Sequence, residues 1–197
     1  MAVLALASLL LGAAFVLASY PGLLRPLASR AEPVALGAPF SLTDQTGKSF
    51  TSAQLQGVPF AVFFGFTHCP DECPTTLADL TQAMKLMGPD AGKLKVLFVT
   101  FDPARDTVPV MASWLKNFDP RIIGLTGSAD AVGALAKSYG VFFKAKAPDK
   151  SGNYDYTHTS TTYLMDAQGR FVGELSPEDA PKTMLPKLEA LVHSGAS

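Results

Sequence analysis

Cys69 and Cys73 are the only thiols in the 197-residue chain. They lie in the string Gly65-Phe66-Thr67-His68-Cys69-Pro70-Asp71-Glu72-Cys73-Pro74, with three residues between them. Two cysteines cannot frame a disulfide-stapled domain, so a pair this close reads as a redox couple, a metal site, or both. Pro70 and Pro74 stiffen the loop that carries them. Thiolates are soft donors, and a pair of them selects for Cu(I), Zn(II) or related ions. Two thiolates underfill a metal site, and histidine is the obvious third ligand. The chain has three histidines. His68 adjoins Cys69, so its side chain is expected to diverge from that thiol. His193 lies near the C-terminus on a helix expected to be exposed, where a solvated histidine is unremarkable. His158 stands just before the strand-like segment Thr162-Tyr163-Leu164-Met165, and pattern alone leaves its role open. The bland alternative is a pair of inert, buried cysteines, against which the polar loop around them argues.

The elements that must position these groups are legible as periodicity. Residues 61–66 form a continuous apolar run, as in a strand buried on both faces, and lead into the cysteine loop. Leu77, Leu80, Met84 and Met87 recur at helical spacing, which predicts a helix over 74–87 with Pro74 in its first turn. The positive end of that helix stabilises thiolate, so both cysteines are expected to have lowered pKa values. Upstream, 40–43 reads as a short strand, 44–47 as a turn and 48–50 as the returning strand. Downstream come a strand at 94–101, a helix at 108–118, a strand at 122–125 and a helix at 129–139. A short strand at 141–144, a polar loop at 146–153 and an extended stretch at 154–166 follow. A hairpin turn at 166–169 leads into 170–174, and a last helix starts at 176, with Ser176 as its cap. Strands alternating with helices, closed by a hairpin and a helix, indicate an α/β sandwich with a mixed sheet.

The bulk composition sets the frame. A net charge of -1 without a Lys/Arg cluster excludes a nucleic-acid surface. The first eighteen residues contain only Ser8 and Gly12 besides apolar side chains, enough to span a bilayer at the short end of the range. Residues 1–20 are therefore read as a transmembrane anchor. A cleaved secretory signal is the main alternative, because Ala18 and Ser19 are small, and a buried core helix is a third. No Lys or Arg precedes this segment, whereas Arg25 and Arg30 follow it, and on charge alone that places the domain on the cytoplasmic side. Residues 21–36, with Pro21, Pro26 and Pro33, read as a linker, and 37–195 as one domain with a sizeable core.

Three segments, in order, resemble the Sco/SenC/PrrC family. They are the cysteine string already quoted, Phe101-Asp102-Pro103-Ala104-Arg105-Asp106-Thr107, and Tyr156-Thr157-His158-Thr159 followed by Tyr163-Leu164-Met165-Asp166. The resemblance implies a thioredoxin-like mixed sheet flanked by helices, preceded by one N-terminal transmembrane helix. It implies copper as the cofactor, with Cys69, Cys73 and His158 as metal ligands. The implied task is to deliver copper to the binuclear copper site of cytochrome c oxidase, or to reduce the cysteines of that site with Cys69 and Cys73 as a redox-active pair. The implied partners are the oxidase's copper-site subunit, an upstream copper donor and the membrane. The implied location is the inner membrane, with the domain on the periplasmic side in a bacterium or facing the intermembrane space in a mitochondrion, against the charge argument.

Asp71 and Glu72 are expected to be solvated loop charges, with partner docking or tuning of copper affinity as the functional alternative. Arg105 and Asp106 are expected to pair and order their loop, with an oxidase contact surface as the alternative. Three rival readings remain. A general thiol-disulfide oxidoreductase usually spaces its cysteines by two residues and carries a proline where this chain has Thr159-Ser160-Thr161-Thr162. A peroxiredoxin has its threonine three residues before the reactive cysteine, whereas Thr67 is two before Cys69. A zinc-stabilised fold is unnecessary for a core of this size.

Overall fold

The apolar runs assemble into one seven-stranded mixed sheet in a computed structural model that describes residues 36–194. In chain order the elements are β1 (Ser41–Asp44), β2 (Ser49–Thr51), β3 (Phe60–Gly65), α1 (Glu72–Met87), β4 (Lys95–Thr100), α2 (Val108–Leu115), β5 (Ile122–Thr126), α3 (Ala129–Ser138), β6 (Phe143–Ala145), β7 (Tyr156–His158), β8 (Thr162–Met165), β9 (Phe171–Leu175) and α4 (Pro181–His193). The sheet order is β2-β1-β5-β4-β3-β8-β9. The central strands β3, β4 and β5 run parallel, and the strands on both sides of them pair antiparallel. This is a thioredoxin-like α/β fold with helices flanking a mixed sheet.

Every residue of β3 is buried, as its lack of any polar side chain requires. Phe63 and Phe98, side by side on β3 and β4, have ring centroids 6.1 Å apart, and Phe64 points to the opposite face against Tyr139 and Tyr163. These three and Leu77, Leu80 and Met84 of α1 are all fully buried. On the face that carries Phe98, whose ring lies 5.0 Å from Trp114, α2 lies hard against β5. A Cβ placed on Gly124 would come within 2.8 Å of Met111 Cε and closer still to Leu115, so only glycine admits the helix at this distance.

Three expectations are corrected. Ser176 does not cap the last helix. Its N–H donates to Asp179 Oδ2 at 3.0 Å, and the Asp179 N–H returns to its carbonyl at 3.0 Å, closing a separate turn. The helix starts at Pro181, whose ring holds Ala180 extended at φ -69° and ψ 158°. Helix α2 ends at Leu115 rather than Phe118, because residues 116–118 tighten into turns in which Asn117 Nδ2 donates to the Trp114 carbonyl. The stretch 154–166 is not one extended segment. Its first part, β7, leaves the main sheet and pairs with β6 as a separate antiparallel ribbon. The expected membrane anchor at 1–20 lies outside the described residues, as does nearly all of the 21–36 linker. No helix among the described residues is long and apolar enough to cross a membrane.

Gly124→Ala should push α2 off β5 and lower stability by about 1–3 kcal/mol, the usual consequence of overpacking. Urea unfolding followed by tryptophan fluorescence reads this directly, since Trp114 lies on α2. An unchanged midpoint would mean that the helix has room to spare.

Candidate metal centre

The cysteine loop is held from below by a buried carboxylate. Asp106 is fully buried and accepts from the Thr67 N–H at 2.9 Å, Thr67 Oγ1 at 2.5 Å and Thr100 Oγ1 at 2.6 Å. Its backbone carbonyl accepts from Thr126 Oγ1 at 2.9 Å. One residue therefore ties together the chain leaving β3, the end of β4 and the end of β5. The expected Arg105–Asp106 pair does not form, because the Asp106 carboxylate is taken up by threonines in the interior. Arg105 instead pairs with Asp102 and donates from Nη1 to the Tyr154 carbonyl at 2.9 Å. Its guanidinium stacks 3.6 Å from the Tyr154 ring centroid, and the Tyr154 hydroxyl donates to Asp102 Oδ1 at 3.0 Å. This cluster fastens the segment that precedes β7 to the loop after β4.

Cys73 lies in the first turn of α1 and is fully buried. Gly65 makes room for it, since a Cβ there would sit 2.8 Å from the Cys73 sulfur. Cys69 is half-buried at the mouth of a cleft lined also by Glu72, Tyr156 and His158. Its Sγ accepts from the Cys73 N–H at 3.4 Å, and both thiols are free. The expectation that both pKa values fall is half right. The hydrogen bond from the Cys73 thiol, helped by His158 and backbone amides, holds Cys69 well below the usual thiol range against the opposing effect of burial. The same bond to Cys69, together with burial and the neighbouring negative charge, pushes Cys73 well above it. Two adjacent sulfurs do not both carry charge in this setting; the shifts favour a thiolate at Cys69 that accepts a hydrogen bond from the Cys73 thiol, which keeps its proton.

His158 ends β7, so it belongs to a strand rather than to a loop. It pairs in register with Phe143, and the Thr159 N–H donates to the Phe142 carbonyl at 2.9 Å. The side chain is 3% exposed and packs edge-on to Phe66, with Phe101 on another side. Its Nδ1 lies 3.0 Å from the Thr159 carbonyl oxygen. A carbonyl can only accept, so Nδ1 carries the proton and Nε2 keeps the lone pair that a metal needs. Burial disfavours protonation of this ring, but hydrogen bonding to the Cys69 thiolate and the Thr159 carbonyl prevails and raises its pKa.

Ligand atoms of Cys69, Cys73 and His158 all lie within 4.8 Å of one another. Donors about 2.0–2.3 Å from a shared ion stand at most about 4.6 Å apart, so a small inward adjustment of the side chains is enough to close all three on one ion. Two sulfurs and one imidazole nitrogen form a soft set that fits Cu(I). The other two histidines stay out. His68 turns away from Cys69, with Nδ1 3.1 Å from Thr67 Oγ1 and 3.4 Å from Asp106 Oδ1. His193 is exposed and lies 3.4 Å from Asp90 Oδ2. A larger cavity lined by Pro39, Leu55 and Tyr139 carries no thiol or histidine. Gly65 and the aromatic seat of His158 escaped the sequence reading, as did the tie from Asp106 to Thr67.

The fold and this constellation define a thioredoxin-like protein with a dithiol–histidine centre. The SCO1/SenC family model matches residues 28–193, and the chain belongs to that family. It is 35% identical over 179 residues to the SCO2-like protein of Rickettsia felis, a match covering 88% of this chain and 87% of that one. Among solved structures it is similar to Bradyrhizobium japonicum ScoI with copper bound, at 41% identity and a TM-score of 0.75, covering 80% of this chain and 99% of that one. It is also similar to yeast Sco1 with copper bound, at 39% identity and a TM-score of 0.74, covering 81% and 90% respectively.

In the metal-free, reduced protein, iodoacetamide should modify Cys69 with a titration midpoint well below the ordinary thiol value, and Cys73 far more slowly. Peptide mapping after timed alkylation at several pH values measures both rates. Equal rates, or a faster Cys73, would contradict the thiolate assignment.

Proposed function

We propose that this chain is a copper metallochaperone that takes copper from a donor protein and delivers it to the copper-site subunit of cytochrome c oxidase. In this reading Cys69, Cys73 and His158 hold one copper per domain. Residues 1–20 anchor the chain in the inner membrane, 21–36 form a stalk and 37–195 the copper-binding domain. Membership in the family supports a domain on the periplasmic side, or in the intermembrane space of a mitochondrion. The observation that carries the reading is the convergence of two sulfurs and one imidazole nitrogen within 4.8 Å, in a chain similar to two proteins solved with copper bound.

Each ligand is prepared for this cargo in a different way. Cys69 is already a thiolate and opens onto the cleft, where a donor or client can reach it. Cys73 must give up its proton on loading, so copper binding releases a proton. His158 offers Nε2 without changing its tautomer, because Thr159 holds Nδ1–H. A three-coordinate set with one accessible thiolate suits transfer, since an incoming client thiolate can replace Cys69 while the buried donors still hold the ion.

A second reading is favoured by the thiol asymmetry. An accessible low-pKa thiolate beside a buried thiol is also the arrangement of a thiol reductase. Cys69 would attack a client disulfide and release one client thiolate. Cys73, once deprotonated, would then displace the second client thiolate and leave a Cys69–Cys73 disulfide. A general reductase is disfavoured because the segment before β8, Thr159-Ser160-Thr161, has no proline.

His158→Ala should weaken Cu(I) binding by at least the 10–100-fold associated with losing even an outer partner of a ligand, with the circular dichroism of the fold retained. Affinity of the wild type should fall as pH drops through the raised His158 pKa, because imidazolium cannot ligate. Anaerobic competition titrations from pH 5 to 8 check both, and a pH-independent affinity or an unchanged His158→Ala protein would oppose the assignment. In a deletion strain, oxidase activity restored by added copper supports delivery. Loss that copper never relieves supports the reductase reading.

A further inference from the structure

The Glu72 carboxylate lies at the rim of the centre, beside its nitrogen but outside the three groups whose ligand atoms all lie within 4.8 Å of one another, so it reaches the ion only by swinging inward. Its Oε2 is 3.6 Å from His158 Nε2, the nitrogen left free for metal. Donors about 2 Å from a common ion stand at most about 4 Å apart, so this spacing is compatible with a shared ion. Glu72 also lines the cleft onto which Cys69 and His158 open, and it is the residue immediately before the buried ligand Cys73. Its position is built rather than accidental. Ser160 Oγ donates to the same Oε2 at 2.5 Å, across 88 residues of sequence. That bond joins the first turn of α1 to the segment between His158 and β8, the two parts of the chain that supply the ligands. Asp71, one residue earlier, is also exposed and lines the same cleft, without such a bond to the histidine segment.

We propose that Glu72 is a conditional fourth ligand that adapts the centre to Cu(II), held in place by Ser160. The inference rests on the copper-binding reading above and concerns the oxidised ion specifically. Two sulfurs and a nitrogen satisfy Cu(I), which is content with three soft donors. Cu(II) prefers four donors in a tetragonal arrangement and accepts nitrogen and oxygen readily. A carboxylate is a hard anionic donor, so it adds little for Cu(I) and much for Cu(II). Glu72 thereby lets one site keep its cargo in either oxidation state without recruiting a ligand from another protein. The carboxylate is mostly solvent-exposed, with 58% of its side chain accessible, and can adjust its rotamer without disturbing the core. Ser160 is a positioning residue in this scheme and does not touch the ion.

The test compares the full-length protein in detergent with Glu72→Gln and Ser160→Ala, each titrated anaerobically with Cu(I) and with Cu(II). Glu72→Gln keeps the size and the hydrogen-bonding capacity of the side chain, so the fold is retained. It should weaken Cu(II) binding by about 10–100-fold and Cu(I) binding by less than about threefold. It should also change the Cu(II) electron paramagnetic resonance spectrum toward a more sulfur-dominated pattern. Ser160→Ala should change the Cu(II) spectrum in the same direction by a smaller amount. An unchanged Cu(II) spectrum and affinity in Glu72→Gln would overturn the proposal. Equal weakening of both oxidation states would overturn it too, by showing a general charge effect. If the wild type itself binds neither ion, the underlying copper reading fails, an outcome separable from the failure of Glu72 alone.

Discussion

The antiparallel pairing of β3 with β8 is the constraint on which the centre depends. Its last rung is Phe63 opposite Thr162, so the end of β3 lies beside the start of β8. The cysteine loop leaves the sheet two residues beyond that rung, and His158 stands four residues before it. Sequence-distant sulfur and nitrogen donors are thus brought to one sheet edge by backbone hydrogen bonds, before any side-chain interaction is considered. Asp106 then fixes the height of the loop by accepting three hydrogen bonds in the interior, two of them from Thr67. A buried carboxylate with all these donors is costly to disturb, because each orphaned partner loses about 1–3 kcal/mol. The accuracy of the site comes from the sheet and from this buried tie.

Chemical asymmetry is built on that frame. One cysteine is placed at the rim and the other under the first turn of α1, in the space left by Gly65. Burial and mutual hydrogen bonding separate their proton affinities in opposite directions. The imidazole is oriented by a carbonyl on one side and confined by aromatic rings on the others. The result is one accessible donor and two sheltered ones. That division suits a protein that must both retain a soft ion and give it up, and it equally permits thiol exchange.

Much of this was legible in the sequence. The unbroken apolar run of β3 and the helical spacing of Leu77, Leu80, Met84 and Met87 located the cysteine loop between a strand and a helix. The three segments resembling the Sco/SenC/PrrC family named Cys69, Cys73 and His158, which the fold brings together. Periodicity failed where local chemistry prevailed. Pro181, and not Ser176, sets the start of the last helix, because a proline constrains the residue before it. A short strand at 141–144 and an extended stretch from 154 were legible, but not their pairing as the β6–β7 ribbon, since that joins segments separated by a polar loop with little alternation of polarity. Opposite shifts of the two thiol pKa values follow from their contact and differing burial, neither of which spacing reveals. Pairing Asp106 with Arg105 follows from treating neighbours in sequence as the default partners, while its actual partners are Thr67 just beyond β3, Thr100 at the end of β4 and Thr126 at the end of β5.

The central claim is that two sulfurs and one imidazole of a single chain make up the copper centre. X-ray absorption at the copper edge of the Cu(I)-loaded protein tests it most directly. The account predicts a three-coordinate shell of two sulfurs and one nitrogen, with the imidazole contribution lost in His158→Ala. A shell of sulfur alone, or a nitrogen contribution that survives the loss of His158, would contradict it.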